Sequence, residues 1–207
     1  DYPKDKIRDY IDWTFFFHSW KINGKYPEIF NDPIKGDEAK KLFDDANILL
    51  SRIIEEKMVV ANGVVGLYPA NAKNDDVEIY KDESGKETLE TFRFLRNQQQ
   101  KENGIPNLSL ADFIAPVDAG LLDYMGGFAV TAGIGLEKWT KMFEQENDDY
   151  SSIMLKVLTD RLAEAFAELM HQLVRTQLWG YAQDENLSIR EILKEGYQGI
   201  RPAPGYP

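Results

Sequence analysis

Cysteine is absent from the 207 residues, which excludes a disulfide framework and any thiolate zinc site. Histidine is scarce: His18 and His171 stand far apart, with no carboxylates at matching spacing, so no metal site is expected. No apolar run reaches the ~18 residues that a membrane-crossing helix needs. The opening residues, Asp1-Tyr2-Pro3-Lys4-Asp5-Lys6, do not have the order of a signal peptide. Basic residues are outnumbered, with 24 Lys plus Arg against 35 Asp plus Glu, a formal charge of −11. That balance opposes nonspecific binding to nucleic acid or to an anionic membrane. Gly126-Gly127 is not a GxGxxG fingerprint, so a Rossmann reading lacks its central motif. These absences predict a soluble, cytoplasmic protein with neither nucleic acid nor membrane as partner.

What is present argues for a packed fold. Hydrophobic residues make up 43% and aromatic residues 12%, enough to bury a core in a chain of this length. We expect a single domain over residues 1–207. Asp12 precedes an aromatic run, Trp13 to Trp20, and is placed first of all to cap a short helix through its carboxylate; the alternative is that beside those rings it accepts hydrogen bonds from a ligand amine or sugar hydroxyl. Apolar residues recur at three- and four-residue steps over 35–58, which predicts a packing helix. Residues 64–68 read as a short strand ended by Pro69, and 76–80 with 88–94 as two antiparallel strands around Asp82-Glu83-Ser84-Gly85. Polar residues 96–104 show no chemistry. Residues 124–133 read as a buried strand whose glycines permit close packing. The longest helix is expected near 148–179, with Ile153, Val157, Leu158, Leu162, Phe166, Leu169, Met170 and Leu173 as its core stripe. A short helix, 189–195, follows a Ser188 cap.

Two features carry possible chemistry. Asp160, Glu164 and Glu168 fall four residues apart, so the carboxylates stack along one side of the long helix. They form either a solvated acidic face, partly neutralised by Arg161 and Arg175, or a rail for an ammonium or sulfonium ligand. The second feature is the last stretch, Tyr197-Gln198-Gly199-Ile200-Arg201-Pro202-Ala203-Pro204-Gly205-Tyr206-Pro207, which is either a proline-rich exit from the domain or a rigid binding edge. Its prolines stiffen it, while Gly199 and Gly205 allow a ligand close to the backbone. Arg201 offers a planar fork for a carboxylate or phosphate, and Tyr206 a ring with a hydroxyl tip.

Residues 197–207 closely resemble the signature loop of the S-adenosylmethionine-binding activation domain of cobalamin-dependent methionine synthase. The similarity continues through Asp12-Trp13-Thr14, Trp20, Gly24-Lys25-Tyr26-Pro27, residues 64–68, 108–116, 124–133 and Asp160 to Glu168. Phe15 departs from the pattern, which has proline there. The resemblance implies an α+β fold with a bent, mainly antiparallel sheet flanked by helices. It implies S-adenosylmethionine binding by Asp12, Glu164, Arg201, Ala203 and Gly205, with Asp160 and Tyr206 facing the corrin, and no catalytic residue within this domain alone. The implied function is reductive methylation of cob(II)alamin, which reactivates the methyltransferase in methionine biosynthesis. The implied partners are the domain that carries cobalamin and flavodoxin or a related reductase. The chain reads as an excised activation domain that lacks its C-terminal portion. The rival readings are a docking module for a corrinoid protein that no longer binds S-adenosylmethionine, and an independent small-molecule methyltransferase.

Overall fold

A computed structural model describes residues 1–102 and 104–203. In chain order the helices are α1 (Lys4–Arg8), α2 (Trp13–Ser19), α3 (Gly36–Glu55), α4 (Leu136–Gln145), α5 (Asp149–Leu173) and α6 (Ile189–Ile192). The strands are β1 (Val60–Lys73), β2 (Asp76–Tyr80), β3 (Thr88–Arg93) and β4 (Asp123–Ile134), in the sheet order β3-β2-β1-β4. The α+β class with an antiparallel sheet and one long helix is therefore as the sequence implied. The chain forms two compact units, residues 1–64 with 129–207 and residues 65–128.

The first unit is organised around α5. Met154, Leu155, Leu158, Leu162, Ala165, Phe166, Leu169 and Met170 are buried, and their three- and four-residue spacing defines one apolar face. Helices α1, α2, α3 and α4 all contact α5. Asp148 starts it, its carboxylate accepting from the Ser151 N–H at 2.9 Å. Ile153 is not in the stripe as expected: it is half exposed, on the opposite side from Leu155 and Leu158. Gly63 lets β1 approach this helix, since a Cβ there would lie 2.6 Å from Met170 Cε and 3.2 Å from Phe166 Cζ. The α-helical ladder also ends earlier than expected. Residues Val174–Leu178 form a π turn, closed by the Trp179 N–H donating to the Val174 carbonyl at 2.9 Å.

The second unit is built on the β2–β3 hairpin, paired antiparallel from Asp76↔Arg93 to Tyr80↔Thr88. Its small core contains Ala70, Ala72, Val77, Ile79 and Ala111, with Phe94, Ile114 and Met125 packed against it. Two expectations need correction here. β1 does not stop at Pro69 but runs through it, because its ladder with β2 begins one residue later, at Ala70↔Ile79, and makes no demand on the missing N–H. β4 is half-buried or exposed rather than buried, with Ala132 alone in the core, being an edge strand, and a Cβ at Gly127 would meet nothing within 4 Å. The polar stretch after β3 has a structural task. Arg96 donates to Asp75 at 2.6 and 3.0 Å, to both oxygens of Asp112 at 2.7 Å and to the Asn107 carbonyl at 2.7 Å. That fork holds the Asp112 carboxyl down at about 2.

Candidate functional site

The C-terminal half of α5 presents the acidic row. A four-residue step advances a helix by slightly more than one turn, so Asp160, Glu164 and Glu168 lie along one side. Asp160 and Glu164 are exposed. Glu168 is largely buried and accepts a hydrogen bond from Arg201 Nη2. This ion pair ties the last described loop to the helix. Burial pushes the Glu168 carboxyl up, although the Arg201 guanidinium beside it pulls the other way.

The pair is incompletely satisfied. Glu168 Oε2 and Arg201 Nε are both buried, and neither has a hydrogen-bond partner among the described residues. Such orphaned groups each cost about 1–3 kcal/mol. One is an acceptor beside a carboxylate charge and the other a donor on a guanidinium. Together they complement a group that carries both an ammonium and a carboxylate.

Arg175, the other cation expected to neutralise the row, does something different. It sits in the π turn, wholly buried, with Nε and Nη2 each donating to a Glu185 oxygen at 2.7 Å. Its Nη1 lies 2.7 Å from His171 Nδ1. A guanidinium can only donate, so Nδ1 accepts and the imidazole is neutral with its proton on Nε2. Burial, reinforced by the positive charges of Arg175 and Arg201, holds the His171 pKa down at about 4. Tyr197 closes the assembly: its ring centroid is 4.2 Å from the Arg175 guanidinium carbon and 4.7 Å from that of His171, nearly perpendicular to it.

The loop from Tyr197 to Arg201 is pinned between these contacts. The Tyr181 hydroxyl donates to the Gln198 carbonyl at 3.2 Å. Gly199 follows with φ +91, and a Cβ there would stand 3.0 Å from the same hydroxyl oxygen. A cleft of about 380 Å³ borders this loop, lined by Tyr181, Asp184, Glu185, Tyr197 and Gln198 among others.

The remaining sequence-derived candidates fall as follows. Asp12 caps α2, accepting from the Thr14 N–H at 2.8 Å. Ala203 is exposed two residues beyond Arg201. Gly205 and Tyr206 lie outside the described residues.

A protein-family model described as the vitamin B12 dependent methionine synthase activation domain matches residues 4–207. The chain belongs to that family. It is similar, with a TM-score of 0.94 and 50% identity, to a crystal structure of the MetH reactivation domain bound to AdoHcy. That likeness covers all of this chain and 63% of that one. The resemblance drawn from the sequence is thus confirmed. Within the activation-domain fold, sequence reasoning missed Glu168 as the partner of Arg201, and it missed the whole Arg175–Glu185–His171–Tyr197 cluster. Glu185 had no legible signal, since a carboxylate in a polar loop reads as solvated. Tyr197 was within the quoted signature, but nothing in its spacing from Arg175 shows that the two meet.

Proposed function

We propose that this activation domain binds S-adenosylmethionine and supports the reductive methylation of cob(II)alamin, reactivating cobalamin-dependent methionine synthase. The observation that carries the reading is the half-satisfied Glu168–Arg201 pair, whose unused acceptor and donor match an amino-acid group. The AdoHcy bound to the similar reactivation domain has such a group. Arg201 takes the ligand carboxylate, and Glu164, exposed one turn before Glu168, takes the ammonium together with Glu168. Asp12 has one oxygen on its own helix and accepts a ligand amine or hydroxyl with the other. The backbone of Ala203 and Gly205 lies along the adenosyl moiety. Asp160 and Tyr206 face the corrin.

Cobalamin, held by a neighbouring domain or partner, supplies the metal that receives the methyl group. This chain contributes binding and orientation of the sulfonium donor and exclusion of water. We read residues 1–207 as one activation domain acting in the cytoplasm as part of the methyltransferase, without turnover alone. No helix among the described residues is long and apolar enough to cross a membrane. Flavodoxin or a related reductase supplies the electron, and a net charge of −11 requires a local basic patch for an acidic donor to dock.

Calorimetric titration with S-adenosylmethionine tests the reading. Saturable binding is expected, weakened by Arg201→Ala and by Glu164→Ala by about 1.5–3 kcal/mol each, the range of a charged hydrogen bond. Absence of saturation by a folded chain would reject ligand binding and leave the docking-module reading.

A further inference from the structure

We propose that Tyr197, clamped on the buried Arg175, is the positioning residue that presents Arg201 to the amino-acid end of the ligand. The inference rests on the S-adenosylmethionine reading above. Arg175 itself is not a ligand residue. Its three guanidinium nitrogens each donate to Glu185 or His171 in a site with no exposure. What it still offers is a cationic face, and the Tyr197 ring lies on that face at 4.2 Å. A desolvated cation–π contact of this kind is stronger than one on the surface.

The position of that contact in the chain gives it a consequence. Tyr197 precedes Arg201 by four residues, and the intervening backbone is fixed a second time by the Tyr181 bond to Gln198. Gly199 then turns the chain in a conformation that L side chains rarely adopt. The Arg201 backbone is thereby set before Glu168 or a ligand engages the side chain. A loop ordered in advance does not lose that entropy on binding. Glu185, bound at the Nε and Nη2 edge of Arg175, holds the platform rather than the loop.

The test uses the full chain, calorimetry and two probes. S-adenosylmethionine has the amino-acid group, and 5′-methylthioadenosine lacks it. Tyr197→Leu is expected to weaken S-adenosylmethionine roughly tenfold, while Tyr197→Phe, which keeps the ring face, stays within about twofold. Binding of 5′-methylthioadenosine is expected to change less than about twofold in both. In an Arg201→Ala background Tyr197→Leu should add no further loss, as coupled residues require. Gly199→Ala, which disturbs the turn without touching Arg175, should reproduce the ligand-selective loss and serves if Tyr197→Leu does not fold.

Equal weakening of both probes, or full additivity with Arg201→Ala, would overturn the proposal and make Tyr197 a packing residue. A wild-type chain that binds neither probe would instead remove the S-adenosylmethionine reading, and this inference with it.

Discussion

At the scale of single residues, the chain treats its arginines in three ways. Arg175 is buried with its counter-ion, Arg201 is partly buried with donors to spare, and Arg52 forms a surface pair with Glu56 at 2.8 Å. Arg175→Ala would leave the Glu185 carboxylate buried without its partner, a loss of about 3–5 kcal/mol in urea unfolding. Arg52→Ala should cost only about 0.3–0.5 kcal/mol. His171 adds a pH dependence. Its folded pKa of about 4 lies below the ordinary 6.5, so between those values the unfolded chain binds more protons. The contribution is complete above about pH 6.5 and is lost as pH falls toward 4, a change on the order of 3 kcal/mol. Glu168 acts with the opposite sign, because its raised pKa favours the folded state on the acid side and that contribution fades as pH rises. Unfolding followed against pH should show a net loss toward acid, and His171→Gln, which still accepts from Arg175 but cannot titrate, should flatten it. None of this was legible in the sequence. Glu168 and Arg175 read as parts of one acidic row and its neutralising charge, and nothing in the spacing of His171 and Glu185 shows that they meet Arg175.

Among the elements, α5 was the most legible. Its apolar period and the Asp148 cap fixed its start, and Leu158→Ala should cost about 2–5 kcal/mol in denaturant unfolding, against less than about 0.5 kcal/mol for the half-exposed Ile153→Ala. The two residues look alike in sequence and differ only in angle around the helix. The end of α5 was less legible, because no glycine or proline marks a π turn; Gly180, with φ +77, marks only the exit after it. β1 misled in the other direction. Pro69 is a sound signal against a ladder on both sides, but it fails where the neighbouring strand begins at the next residue. The hairpin of β2 and β3 was read correctly because the turn residues, including Gly85 at φ +63, specify it locally.

At the scale of the whole molecule, the ligand reading predicts a global effect. If only the folded chain binds S-adenosylmethionine, a concentration of 100 times Kd should add about 2.7 kcal/mol to the unfolding free energy, measurable as a shift in Tm. The family was legible at this scale because a signature loop and several segments recur in order, whereas the two compact units were not. Their boundaries, at 64–65 and 128–129, fall inside β1 and β4, where no linker composition marks them. That division has a consequence for how the protein is made. The unit of residues 65–128 is one continuous stretch, while the other is split around it and cannot acquire its central helix until the ribosome has passed residue 173. The middle of the chain is therefore ready to fold first, and Ile7, Phe16, Phe17 and Leu50, all buried in the finished protein, wait exposed for more than a hundred residues of synthesis. Within these 207 residues, the stretch that precedes the continuous unit is the one most in need of protection from aggregation.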